Sequence, residues 1–194
     1  IQARRDGRPT DDPAYQVTVL VSGTECRIED TGVGMSREEL QTNFWTMGAS
    51  GKNTPEARAA GCIGTFGIGG FANFGVCETL EVISRSANCT VAHETSLSRS
   101  AFSIERYALP TVSYIETAAL ASRGTVVRGL SKESFDVPQL SNYLRQFVRH
   151  VREAVFFNGS KISQERFEVP DNKKALGETE TRDGLTLRLF TDGD

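Results

Sequence analysis

Histidine, methionine and closely spaced cysteine are all scarce in this 194-residue chain, and each scarcity removes a chemistry. His93 and His150 stand 57 positions apart, without the short ligand spacing of a metal site. Cys26, Cys62, Cys77 and Cys89 are separated by 36, 15 and 12 residues, so no close pair suggests zinc; reduced structural thiols in a cytoplasmic protein fit them. Basic charge is not in excess. Lys and Arg total 22 against 25 Asp and Glu, and the net charge of −3 disfavours nucleic acid as a partner. No apolar run approaches a membrane span, and Ile-Gln-Ala-Arg-Arg at the start is no signal peptide. No Gly-x-Ser-x-Gly elbow offers a nucleophile for acyl transfer.

Glycine is plentiful but unevenly spread: ten of the 18 fall between Gly32 and Gly75. That stretch holds Asp30-Thr31-Gly32-Val33-Gly34-Met35 and then Gly64-Thr65-Phe66-Gly67-Ile68-Gly69-Gly70-Phe71. Flanking patterns give the scaffold. Tyr15, Val17, Val19 and Val21 alternate as in a strand, and Cys26 to Glu29 return as a second strand ending at Asp30. Ser36 with Glu39 forms a capping box, which predicts a helix from just after Met35 to about Phe44. Thr46 to Cys62 reads as a polar loop of lid length. A short helix is predicted over about Phe66 to Phe74, before five strands: Thr79–Ser84, Thr90–Thr95, Phe102–Arg106, Val112–Glu116 and Thr125–Arg128. Short links suit an antiparallel meander. Val137, Leu140, Leu144, Phe147, Val148, Val151 and Val155 recur at helical spacing. Lys161–Ser163 and Leu185–Phe190 read as strands, with Asp171–Asp183 a polar turn or linker. The sum is an α/β (α+β) two-layer sandwich, with helices on one face of a mixed, mostly antiparallel sheet.

Two familiar phosphate motifs fail on detail. Around Gly51-Lys52, Thr46 stands where a phosphate loop needs its first glycine, and Asn53 replaces the metal-holding Ser or Thr. Gly67-Ile68-Gly69-Gly70-Phe71-Ala72 has dinucleotide spacing but lacks the preceding strand, the full crossover helix and an acid near position 87. The Asp30 turn has two readings. Its carboxylate, an acceptor, can select an exocyclic amine such as adenine's, with Met35 a soft wall against the ring; or it forms an Asx turn capping the next helix. Gly64 to Phe71 likewise either points bare N–H groups at phosphates from a helix start or makes a tightly packed corner.

In combination these residues resemble the GHKL ATPase superfamily of type II topoisomerases, ninety-kilodalton heat-shock chaperones, histidine kinases and mismatch-repair ATPases. Ile28 to Ser36, Leu40, Asn43, Met47 to Gly51, Ile63 to Gly69 and Arg123 to Val127 are most similar to the chaperones' N-terminal domain. The resemblance covers about residues 1–165, the ATP-binding domain; residues 166–194 are its terminal strands or the start of a following domain. It implies that Asp30 binds the adenine amine, with Thr125 assisting through a water. Gly34 and Met35 line the base pocket, and Asn43 reaches the sugar or α-phosphate. Gly67, Ile68, Gly69 and Gly70 donate N–H groups to phosphates beside Phe71, and Ser50, Gly51 and Lys52 belong to a mobile lid. Gly70 is an extra glycine, and Lys52 is displaced by one turn position. The family's first motif, carrying a water-activating Glu and a magnesium-holding Asn, is expected upstream of Ile1, so no catalytic or metal residue is assigned in this chain. Ile1 to Arg5 read as the last turn of that helix, and negligible hydrolysis by this chain alone is expected. ATP, Mg2+, lid closure, client proteins and a homodimer are what the resemblance implies for the intact protein. A nucleotide-gated module without turnover and a DNA-processing relative are the alternatives.

Overall fold

The computed structural model describes residues 15–46, 69–101, 112–151, 153–165, 173–180 and 186–192. The chain divides into two compact units, Ile1–Gln164 and Glu165–Asp194. In the first unit, the alternating valines form β1 (Gln16–Ser22), which turns through Gly23 into β2 (Glu25–Asp30). The capping box forms as the sequence predicts: Ser36 Oγ accepts the Glu39 N–H at 3.2 Å, and Glu39 Oε2 accepts the Ser36 N–H at 2.7 Å. The helix it starts, α1 (Arg37–Glu39), at once widens into a π turn over Leu40–Phe44. Then come α2 (Gly69–Ala72) with a 3-10 turn over Asn73–Gly75, β3 (Cys77–Arg85) and β4 (Ala92–Ser98). β5 (Tyr114–Thr117), β6 (Gly124–Ser131), α3 (Val137–Val148), β7 (Ala154–Phe157) and β8 (Ser160–Lys161) complete the unit.

The eight strands lie in the order β5-β4-β3-β6-β2-β1-β7-β8, antiparallel except for the β1–β7 pair. Directly opposed residues share a face, so register maps the sheet. One row runs Val19, Ile28, Val127, Val82, Thr95; the next runs Val17, Asp30, Thr125, Ser84, His93. Helices cover this face. Leu40, Trp45 and Phe74 pack on Leu80, Val82 and Leu97, while α3 lays Val137, Leu140, Leu144 and Val148 on Val19, Val21, Val155 and Phe157. Each such side chain taken from water contributes about 1.5–3 kcal/mol. The reverse face carries exposed ion pairs, Arg128–Glu25 at 2.8 Å and Arg27–Glu29 at 2.6 Å. This is the predicted two-layer arrangement.

Several boundaries differ from the sequence reading. The long helix stops at Val148, and Val155 belongs to β7, opposite Val17. Apolar spacing persists through the break because α3 and β7 both face the same cluster. The Asn158-Gly159 turn, with φ of +45° and +82°, joins β7 to β8, and such a dipeptide is a hairpin signal. Asn158 also clamps β1: its side chain accepts the Val21 N–H at 2.8 Å and donates to the Val21 carbonyl at 3.0 Å. The meander holds for β3, β4 and β5, but β6 returns to the other side of β3. Of the Lys161–Ser163 strand only Lys161 lies in β8, although the Ile162 N–H still donates to the Val155 carbonyl at 2.9 Å. Phe102–Arg106 lies outside the described residues.

The second unit is a two-stranded hairpin of β9 (Lys173–Glu180) and β10 (Thr186–Asp192). The predicted polar turn over Asp171–Asp183 is therefore a strand for most of its length. A main-chain ladder supplies its pairing, which side-chain polarity does not report. Among the described residues no helix is long and apolar enough to cross a membrane.

Candidate functional site

Asp30 ends β2 on the helix-covered face, where its register partner in β6 is Thr125. Its Oδ1 accepts the Gly32 N–H at 2.8 Å, so the chain does form an Asx turn there. The turn does not cap the helix; Ser36 does that. Thr31 anchors the same turn to β1, accepting the Gln16 N–H at 2.9 Å. The loop then folds back over the sheet. Gly34 has φ of +64°, and a Cβ on it would overlap the Arg85 carbonyl and lie 2.9 Å from the Gly124 oxygen. Only a residue without a side chain fits between those two backbones. The next N–H, from Met35, reaches Ser84 Oγ at 2.8 Å.

Ser84 is fully buried and lies 2.9 Å from Thr125 Oγ1 and 3.1 Å from the Gly124 oxygen. One hydroxyl thus joins the acidic turn to the start of β6. Sequence reading missed it, although a signal existed: Ser84 continues the inward phase of Leu80 and Val82. A polar residue in that phase needs partners, because an unsatisfied buried hydroxyl is costly.

The second glycine cluster reaches the same face. Phe71 meets Trp45 edge-on, with centroids 6.1 Å apart, and both Phe71 and Met35 pack against the Leu40–Trp45–Leu80 cluster. Gly70 sits where a Cβ would be 2.7 Å from the Phe44 oxygen, so this extra glycine serves close packing against the π turn. Gly69 has open space where a Cβ would stand, and its carbonyl accepts from Asn73 Nδ2 at 3.0 Å. Asn43 is half-buried on the π turn, a distortion frequent at functional sites. Asp30, Gly34, Met35 and Thr125 therefore form one corner. Asn43, Gly69, Gly70 and Phe71 lie on elements covering the same face. Ser50, Gly51, Lys52, Gly67 and Ile68 fall outside the described residues.

Cavities open near this corner and beyond it. One of about 490 Å³ is lined by Arg85, Ala92, Glu116 and Leu120, and one of about 130 Å³ by Asp30 and Thr31 together with Thr18, Glu29 and Arg123. Neither is lined by Met35, Ser84 or Thr125. Among the described residues no group of three His, Cys, Asp or Glu could hold a metal ion.

Fold and corner define a class: a two-layer α/β sandwich with a glycine-laced acidic turn at one end of its helix-covered sheet face. A family profile described as histidine kinase-, DNA gyrase B-, and HSP90-like ATPase matches residues 11–125, and the chain belongs to that family. The chain is similar to the chaperone protein HtpG of Nitratidesulfovibrio vulgaris, 27% identical over 187 residues, covering 84% of this chain and 28% of that protein. HtpG of Rhizobium meliloti is 32% identical over 125 residues, covering 59% and 19% of the two chains. The mitochondrial heat shock protein 75 kDa of Bos taurus is 45% identical over 69 residues, covering 31% and 10%. The chain thus spans less than a third of the length of these relatives.

Proposed function

We propose that this chain is the adenine-nucleotide-binding domain of a chaperone-type GHKL ATPase. The observation that carries the reading is the pairing of Asp30 with Thr125 across β2 and β6, beneath a loop that Gly34 lets close over the strand ends. A carboxylate and a hydroxyl side by side suit the amino group of adenine, and half-buried Met35 supplies a polarizable wall for the ring. A side chain at Gly69 would meet open space, whereas one at Gly70 would crowd the Phe44 carbonyl, so only at Gly70 does packing require glycine. Phosphate binding is assigned to the backbone N–H groups of Gly67, Ile68, Gly69 and Gly70, with Asn43 on the sugar or α-phosphate. Similarity to proteins named as chaperones favours that branch over the DNA-processing one.

Hydrolysis, magnesium, closure of residues 46–62 over bound nucleotide, and dimerisation are further parts of the proposal. They concern the longer proteins as much as this domain. Calorimetry with ATP tests the reading. Asp30→Asn retains an oxygen for the Gly32 N–H but loses the charge, and should weaken binding about 10- to 100-fold, the worth of one charge-assisted hydrogen bond. An unchanged dissociation constant would remove Asp30 from the base pocket.

A further inference from the structure

Proton counting at Ser84 gives the corner a polarity that no single residue reveals. A serine hydroxyl has one proton to donate and two lone pairs to accept with. Three groups lie within hydrogen-bond distance of Ser84 Oγ: the Met35 N–H at 2.8 Å, the Gly124 carbonyl at 3.1 Å and Thr125 Oγ1 at 2.9 Å. The Met35 amide can only donate, and the Gly124 carbonyl can only accept. Ser84 must therefore give its one proton to Gly124 if all three contacts are to be bonds. Thr125 must then donate to Ser84. The reverse arrangement, Ser84 donating to Thr125, sets a carbonyl lone pair against the lone pair of a fully buried Ser84 hydroxyl.

With its proton committed inward, Thr125 keeps only lone pairs for anything else it meets. Its register neighbour Asp30 is a carboxylate, an acceptor as well. Where Thr125 meets the base directly, and not through the water that the resemblance implies, the two side chains present acceptors alone to its exocyclic group. We propose that Ser84 is a positioning residue that makes Thr125 an acceptor toward the base, so that the corner selects a 6-amino over a 6-oxo purine. This rests on the nucleotide reading above and extends it from binding to selectivity. Without Ser84, the Thr125 hydroxyl rotates freely and can donate to an oxo group, so discrimination weakens even where affinity does not.

The test is the ratio of dissociation constants for ATP and inosine triphosphate, measured by calorimetry on the full chain. Wild type should prefer ATP, and Ser84→Ala should narrow the ratio roughly 3- to 10-fold, the equivalent of one hydrogen bond. Thr125→Val, which removes the hydroxyl that Ser84 orients, should narrow it as well. Adding Ser84→Ala to Thr125→Val should narrow it no further, the mark of one pathway through two residues. A merely structural Ser84 would weaken both nucleotides equally and leave the ratio unchanged, which overturns the inference alone. So would a Ser84→Ala effect that persists in the Thr125→Val background. If Ser84→Ala does not fold, Thr125→Val still tests the inference, because an unchanged ratio there means that no hydroxyl reads the base. A wild type that binds neither nucleotide overturns the nucleotide reading and this inference with it.

Discussion

Replacing Gly34 by alanine isolates the close approach on which the acidic corner depends. Two costs are expected. A left-handed conformation at φ +64° costs a residue with a Cβ about 1–2 kcal/mol. The added methyl also runs into the Arg85 carbonyl and the Gly124 oxygen, which are held in the β3–β6 ladder and cannot swing aside as a side chain would. Overpacking of this kind costs about 1–3 kcal/mol. Gly23 provides the control: its φ is +54°, and a Cβ there meets nothing within 4 Å. Gly23→Ala should therefore show the conformational cost alone, and Gly34→Ala about 1–3 kcal/mol more. In a domain of this size that difference lowers the melting temperature by about 2–12 °C beyond the control. Thermal unfolding followed by circular dichroism measures both variants on one scale. Gly34→Ala should also weaken ATP binding, because the Met35 amide is pushed off Ser84. Equal melting temperatures for the two variants would refute the argument that backbone crowding, rather than backbone angle, requires glycine at position 34.

Ser36→Ala removes the acceptor for the Glu39 N–H and should destabilise the domain by about 0.5–2 kcal/mol, read from urea unfolding; no change would mean the short helix needs no cap. Glu25 has its carboxyl held below the usual range chiefly by the hydrogen bond from Arg128; desolvation opposes this, and the charges of Arg128 and then Arg27 add to the lowering. A depressed folded-state pKa stabilises above the unfolded value and is lost as pH falls through the folded one. Glu25→Gln should thus be slightly less stable than wild type at neutral pH and equal to it in acid, with a small difference because the pair is exposed. A deficit that grew toward low pH would contradict the assignment. Burial raises the Cys77 thiol above its ordinary value, and Cys26 is raised by burial and then by Cys77. Both should react with a thiol reagent slowly in the native chain and rapidly in urea; fast native labelling of Cys77 would place it at the surface.

The parts of this molecule that were legible in the sequence are those governed by near neighbours. Alternation at Val17, Val19 and Val21 gave β1, Ser36 and Glu39 gave the cap, and the run from Val137 to Val148 gave α3. The acid at a strand end followed by glycines was also visible, since Asp30, Gly32 and Gly34 stand within five residues. Less was legible where two elements share one apolar face. Val151 and Val155 kept the helical spacing of α3 although Val155 lies in a strand, and Lys173–Glu180 pairs through its backbone with no apolar alternation to announce it.

Sequence by itself determined which side chains face inward, where the chain turns, and that a carboxylate sits at one such turn. These are properties of periods of two and 3.6 residues and of single backbone angles, all set within a few positions. Only tertiary structure decided which strands are neighbours: β6 beside β3 and β2, and β7 parallel to β1. Those pairings brought Ser84 to Thr125 across 41 residues and to the Met35 amide across 49. A period tells a residue which face to show, and many pairings satisfy it. The one adopted is selected by the packing of the whole sheet against its helices, a sum that no local window of the chain contains.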